Sequence, residues 1–172
     1  MRELPSLSLP SGMLLALILA LAVLLTGCST ANSTVGGMLN LDTDLRLTLA
    51  AGRDSNPDER GNASPVFLRL YELASPNIFE RADFIDLYEK DEDVLAKDLI
   101  ARHELRRLIP GSSREEKFVL AAETRYIGIY AEFFDYEDAK YKVVFPITMN
   151  NVVRNTATLR ISGNTVILVD RK

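Results

Sequence analysis

The chain is poor in the side chains that most metal and catalytic sites need. Its 172 residues include one cysteine, Cys28, and one histidine, His103. A single cysteine excludes an intramolecular disulfide. A zinc site needs three or four ligands, and His103 has no partner at a fixed spacing. We therefore expect His103 to be an ordinary surface or strand-edge residue, and we expect no cofactor or metal.

Catalytic motifs are also missing. The sequence has no Gly-x-Ser-x-Gly, no His-Glu-x-x-His and no glycine-rich phosphate loop. The acidic runs at residues 91–93 and 135–138 lack the spacing of a calcium loop. The formal net charge of -4 and the pI near 5.1 argue against a nucleic-acid partner. We expect neither an enzyme nor a small-molecule substrate.

An apolar run at residues 13–25 is followed by Thr26, Gly27 and Cys28. Thirteen apolar residues fall short of the ~20 needed to span a bilayer, and small residues before a cleavage site are typical of a secretory signal. The order resembles the bacterial lipobox, in which the cysteine is acylated and becomes the first residue after cleavage. We therefore predict a signal peptide at residues 1–27 and lipidation at Cys28. An ordinary signal with an incidental cysteine and an uncleaved anchor helix are the alternatives.

The residues that follow Cys28 are small and polar up to Gly37. Residues 28–37 are predicted to be a lipidated flexible tether with a reach of about 16 Å. Ser29 stands where an aspartate retains enteric-type lipoproteins in the inner membrane, which implies the periplasmic face of the outer membrane. Residues 38–172 have the length and apolar content of one domain.

Alternating apolar residues indicate strands along this domain. The first runs from Leu39 to Leu49, and the second covers residues 65–73. Between them, residues 52–64 carry no large apolar side chain and form a long loop. After Pro110 the pattern again indicates strands, at residues 117–121, 125–134, 141–145, 156–161 and 165–169. Seven or eight short strands predict a sandwich of two sheets.

A helical segment interrupts the strands. Asn77 and Glu80 have the spacing of a capping box. One helical face is traced by Ile78, Ala82, Ile85 and either Tyr88 or Glu89, and it is flanked by Phe79 and Phe84. Residues 91–93 are predicted to cap a second short helical turn. For residues 100–108 the periodicity fits a strand or a helix equally well.

The order of these features is similar to that of the TssJ family, the outer-membrane lipoproteins of type VI secretion systems. The segments that carry the resemblance are residues 64–73, 84–88, 110–111 and 124–129, with Phe133; Lys142 departs from the family pattern. The resemblance implies a mainly β, transthyretin-like sandwich of about eight strands, with a short helical insertion between strands 2 and 3. It also implies that residues 100–108 form a strand.

The resemblance further implies that the loop after the first strand binds the periplasmic domain of the inner-membrane subunit TssM. Long loops in compact domains are often functional, although this one could equally be a solvated spacer. The candidate partner-binding residues are Arg53, Asp54, Ser55, Asn56, Pro57, Asp58, Glu59, Arg60, Gly61 and Asn62. The alternatives are a periplasmic lipoprotein that carries a small ligand, or one that inhibits or chaperones another protein through this loop.

Overall fold

Residues 42–172 are described by the computed structural model of the chain. The predicted signal peptide (residues 1–27) and the predicted lipidated tether (28–37), which begins with Cys28, lie outside these residues. The elements, in chain order, are β1 (Thr43–Ala51), β2 (Val66–Leu73), α1 (Asn77–Arg81), α2 (Phe84–Leu95), a 3-10 turn (Ala96–Asp98), β3 (Leu99–Leu108), β4 (Ser113–Leu120), β5 (Tyr126–Glu132), β6 (Lys142–Pro146), β7 (Asn155–Ser162) and β8 (Thr165–Arg171). None of the helices in this part of the chain is long and apolar enough to cross a membrane.

The strands form two four-stranded sheets, β4-β1-β7-β8 and β3-β2-β5-β6. β1 and β7 pair in parallel, and the other neighbours are antiparallel. The predicted mainly β sandwich, with eight strands and a helical insertion between strands 2 and 3, is confirmed. Residues 99–108 form the edge strand β3 paired to β2, which resolves the ambiguity left by their periodicity.

The main core lies between the sheets and follows the two-residue period of the strands. Leu45, Leu47 and Leu49 point inward from β1, while the intervening residues are only half-buried. Leu68 and Leu70 meet them from the opposite sheet. Successive side chains of a strand point to opposite faces, so alternation in the sequence was sufficient to locate this core.

A second apolar cluster lies on the outer face of the β3-β2-β5-β6 sheet. Tyr71 and Tyr130 contribute from the strands, and Phe79, Phe84 and Leu87 contribute from the helices. The helices therefore cover this face, and β2 and β5 bury side chains on both of their sides.

The predicted helical face was right for Ile78 and Ala82, which pack in or against the outer cluster, and wrong for Ile85 and Tyr88. No capping box forms, because Asn77 is the first residue of α1 and the cap is Pro76, without a side-chain hydrogen bond. Ile85 and Tyr88 are 40% and 52% exposed, and the flanking Phe79 and Phe84 are the buried residues. The physical reason is a break in the chain. Ala82 is extended and Asp83 starts α2 by accepting a hydrogen bond from the Asp86 N–H at 2.8 Å, so the helical phase is reset.

The predicted second helical turn does begin at the acidic run 91–93, because α2 consists of two helical segments that meet at Lys90. Asp91 lies inside α2 and is buried, next to a kink at Lys90. Its Oδ2 atom accepts hydrogen bonds from the Tyr71 hydroxyl at 2.7 Å, Arg102 Nε at 2.8 Å and Arg69 at 3.0 Å. Burial alone would raise the pKa of Asp91, but these donors hold it below its ordinary value. Asp91 therefore fastens α2 to the sheet as a carboxylate.

Lys142, where the sequence departs from the family pattern, fastens α1 in a comparable way. Its ammonium group donates to the carbonyl oxygens of Phe79, Glu80 and Ala82, at the C-terminal end of that helix. Cations are favourable near the carbonyl end of a helix. Burial nevertheless lowers the pKa of Lys142.

Candidate functional site

The segment that joins β1 to β2 is ordered by neighbouring turns at one end of the sandwich. The Gly52 N–H donates to the Ile161 carbonyl at 2.7 Å, and the Asn56 N–H donates to the Gly163 carbonyl at 2.9 Å. The Gly111 N–H in turn donates to the Gly52 carbonyl at 3.1 Å. The β1–β2 loop is thus joined to the β3–β4 and β7–β8 turns, and these segments form one surface.

Asp54 strengthens the join to the β7–β8 turn. Its Oδ2 atom accepts from the Ser162 hydroxyl at 2.9 Å and from the Gly163 N–H at 3.2 Å. The Ser162 bond is the main cause of a pKa of Asp54 below its ordinary value. Donors aimed at a carboxylate favour its charged form, so Asp54 is an anion that sets the start of the loop.

Ser55 and Asn56 lie beneath the loop, at 0% and 2% exposure. Asn56 Nδ2 donates to the Pro65 carbonyl at 2.9 Å, and Asn56 Oδ1 accepts from the Phe134 N–H at 2.8 Å. The Ser64 N–H donates to the Ser55 carbonyl at 3.0 Å. One buried amide therefore joins the loop to the start of β2 and to the segment after β5.

The loop ends in a compact tip closed by a bridge between Pro57 and Ala63. Asp58 Oδ1 accepts from the backbone N–H groups of Arg60 at 2.9 Å and Asn62 at 2.8 Å. The Asn62 backbone is the largest cause of a pKa of Asp58 below its ordinary value. Gly61 has φ +78°, a conformation that costs glycine little and other residues more.

The ten predicted partner-binding residues divide by exposure. Six are exposed, Pro57 and Asp58 are half-buried, and Ser55 and Asn56 are buried supports. The exposed six are Arg53, Asp54, Glu59, Arg60, Gly61 and Asn62. They carry both signs of charge, and the fold brings them to one end of the molecule.

An apolar groove that was not predicted from the sequence lies beside this loop. Its volume is about 380 Å³, and its exposed walls include Phe67, Ile85, Tyr88 and Phe134. In the sequence, Phe67 alternates with the apolar residues of a strand, and Ile85 and Tyr88 fall on the predicted buried face of a helix. The one sequence signal for the groove is Phe67, a large apolar residue on the face of β2 opposite to the inward-facing Leu68 and Leu70.

His103 lies on the edge strand β3, as predicted. Its Nε2 atom is 2.8 Å from Glu72 Oε1, and its ring makes an edge contact with Phe118. Glu72 is buried and also accepts from the Ala121 N–H at 2.8 Å and from the Thr124 hydroxyl. Within residues 42–172, no group of three or more His, Cys, Asp or Glu side chains is placed to hold a metal ion.

The fold is shared with solved structures. TssJ1 from Pseudomonas aeruginosa, a T6SS lipoprotein, is 28% identical, with a TM-score of 0.68 over 76% of this chain and 98% of that one. A chain of a type VI membrane complex is 26% identical, with a TM-score of 0.64, over 76% and 99%. A chain in the structure described as the T6SS protein TssM C-terminal domain (869-1107) from EAEC is 26% identical, with a TM-score of 0.60, over 73% and 99%.

A comparison with curated protein sequences found no match. Residues 43–164 match the T6SS-SciN family, described as type VI secretion lipoprotein, VasD, EvfM, TssJ. The match spans β1 to the β7–β8 turn and includes the whole candidate surface. The chain therefore belongs to the TssJ family of type VI secretion lipoproteins, which are structural components and not enzymes.

Proposed function

We propose that this chain anchors the type VI membrane complex to the outer membrane. In this proposal Cys28 is acylated and inserts into the periplasmic leaflet, and the exposed residues of the 53–62 loop bind the periplasmic domain of TssM. Membership of a type VI secretion lipoprotein family supports the acyl anchor. Two or three acyl chains, at about 0.8 kcal/mol per buried methylene, make desorption negligible.

The observation that carries the proposal is the position of the loop relative to the tether. The chain enters the sandwich at the start of β1, and the loop begins where β1 ends. Nine residues of strand at about 3.3 Å each place these points roughly 30 Å apart. A domain tethered at one end would hold its loop at the other end, toward a partner that comes from the inner membrane.

Support for TssM as the partner comes from the comparisons. Chains with this fold occur in a type VI membrane complex and in the structure described by the TssM C-terminal domain. The loop suits such a contact, because hydrogen bonds within the loop hold its tip before any partner binds. A preformed surface loses less conformational entropy on binding.

The test is co-purification from native membranes with the full-length chain. Cys28→Ser should move the protein from the detergent phase to the soluble or unprocessed fraction and stop secretion. The double variant Glu59→Arg with Arg60→Glu should keep the protein in the membrane but reduce recovery of TssM at least about tenfold, or 1.4 kcal/mol. Both residues are exposed, so the fold should not change.

Arg171→Glu is the matched control, because Arg171 is an exposed arginine at the end of β8 that lies farthest from the β7–β8 turn, which contacts the loop. It should leave TssM recovery unchanged. If the loop variant recovers as much TssM as the unaltered chain, the loop is a spacer. If Cys28→Ser stays in the detergent phase, the acyl anchor is refuted.

A further inference from the structure

The loop alone is a small contact surface. Six of its predicted residues are exposed, whereas a stable protein interface uses about 20 to 30 residues on each side. A contact centred on the loop must therefore extend over neighbouring surface. The groove beside the loop adjoins it and carries four large exposed apolar side chains, since Phe67, Ile85, Tyr88 and Phe134 are 53%, 40%, 52% and 68% exposed.

The groove and the loop are one structural unit. Asn56 lines the groove, and its side chain holds the backbone of Phe134 and of Pro65. Phe134 also lines a depression with Pro57 and Glu59, at the base of the loop tip. A partner that covers the loop tip would therefore also contact the adjacent Phe134 ring.

The groove has a rigid aromatic wall. Phe84 and Tyr136 stack with their ring centroids 4.3 Å apart and their planes 7° apart, and the Tyr88 ring is nearly parallel to that of Phe84, with the centroids 6.2 Å apart. Phe84 itself is buried. Binding energy concentrates on aromatic anchors in preformed pockets, because little side-chain entropy remains to be lost there.

The charged side chains that line the groove and its two flanks are acidic. The two depressions that flank it are lined by Asp58, Glu59 and Asp135 on one side and by Asp83 and Glu137 on the other. Glu132, inside the groove, is paired with Arg69 at 2.7 Å. Among the described residues that line the groove and its two flanks, no side chain is basic.

From these observations we infer that the groove is the central part of the partner interface and takes an apolar segment of TssM flanked by lysine or arginine side chains. This inference rests on the proposed function, since it extends the same contact from the loop to the groove. The apolar segment fills the space between Phe134 and Tyr88. The basic residues face the acidic rim, where opposite charges steer association and set the orientation.

The test measures affinity of the full-length chain in detergent for the full-length inner-membrane subunit of the same system. Phe134→Ser and Tyr88→Ser should each weaken binding at least tenfold. Val119→Ser is the matched control, because Val119 is as exposed as Phe134, at 68%, but lies on β4 of the other sheet; it should bind like the unaltered chain. Asp135→Lys should weaken binding and reduce its dependence on salt, since screening acts on the charged rim.

The outcomes separate this inference from the proposed function. If Phe134→Ser and Tyr88→Ser bind with native affinity while the Glu59 and Arg60 double variant is weakened, the groove is no part of the interface and the loop proposal stands. If the unaltered chain does not bind TssM, the proposed function fails. If the groove variants abolish self-association but not TssM binding, a second copy is the occupant and the inference is overturned. A melting temperature equal to that of the unaltered chain shows that a variant is folded. If either groove variant is unfolded, the result for Asp135→Lys decides the test.

Discussion

The outer faces of the two sheets differ in how far they are covered. The outer side of β1 carries Arg46 and Thr48, both only half-buried, and Arg46 pairs with the exposed Glu115 at 3.5 Å. The outer side of β2 carries Arg69 and Tyr71, which lie under the helices. The β4-β1-β7-β8 sheet therefore packs on one face only, against the inter-sheet core. The β3-β2-β5-β6 sheet packs on both faces, against that core and against the helices.

Covering the second face brings a charge into the interior, and that charge must be paired. Arg69 has 12% of its side chain exposed and contacts Asp91 at 3.0 Å and Glu132 at 2.7 Å. A buried cation without such partners would cost several kcal/mol. The comparison shows that the inter-sheet core depends on apolar packing, whereas the helix cover depends on packing together with an ion network. The first three predictions that follow test this division, and the fourth concerns the tip of the β1–β2 loop.

The largest effect is expected in the inter-sheet core. Leu159 on β7 is 1% exposed, so Leu159→Ala should lower the free energy of unfolding by about 2 to 5 kcal/mol through lost transfer energy and a cavity. Leu168 lies opposite it on the edge strand β8 but is only partly buried. Leu168→Ala should therefore cost clearly less in chemical denaturation, and equal losses would show that the edge strand is as much a part of the core as β7.

The next effect concerns the ion network. Asp91→Asn removes the charge that accepts from Tyr71, Arg69 and Arg102, and should cost about 2 kcal/mol. Amide hydrogen exchange should then speed up in α2 before it does in β1. Glu89→Gln, an exposed change on the same helix, is the control. Equal acceleration in β1 would mean that the helices and the sandwich open as one unit.

A smaller effect is expected from overfilling the outer cluster. A Cβ atom at Gly128 would lie 3.1 Å from Leu73 Cδ1 and from two ring atoms of Phe79. Phe79 is 1% exposed and packs against Tyr71, so it has little room to move. Gly128→Ala should therefore destabilise the protein by about 1 to 2 kcal/mol, measured by thermal unfolding. A stabilised variant would show that the helix cover is loosely packed.

The smallest effect is the pH response of the loop tip. Because the pKa of Asp58 is lower in the folded chain, its bonds to Arg60 and Asn62 are present above the ordinary aspartate pKa of about 4 and are lost as the pH falls through the folded value. Backbone amide chemical shifts of Arg60 and Asn62 should follow this titration while those of β1 stay constant. In Asp58→Asn the two shifts should not titrate, and a titration there would assign the effect to another group.

The structure separates the parts of the fold that local patterns encode from those they do not. The strand β1, the long polar loop and the hairpin of β7 and β8 follow from alternation and turn residues, and all were predicted from sequence. The part of the helical face after Ala82 was predicted wrongly, because the break at Ala82 and Asp83 shifts the phase between two short helices. No one-dimensional period can show such a shift unless the break itself is recognised.

Local sequence patterns predicted one part of the candidate surface, the loop, but not the other part, the groove. The loop stands out because it is long and polar, and its ten residues could be named in advance. The groove could not be predicted, since it depends on Asn56 and Phe134, which are 78 residues apart in the chain. Likewise, Asp91 was visible as part of an acidic run, but its partner Tyr71 comes from a strand 20 residues earlier.

The sequence by itself determined the class of the protein, through the signal-like segment with Cys28, the alternating strands and the segments shared with a lipoprotein family. These features are local, and each depends on neighbours within a few residues. Only the tertiary structure decided which faces of the helices are buried, which acidic residue is a buried support, and where apolar side chains remain exposed beside the loop. Those outcomes depend on contacts between distant segments, and such contacts exist only after the sheets have paired and the helices have packed on one of them.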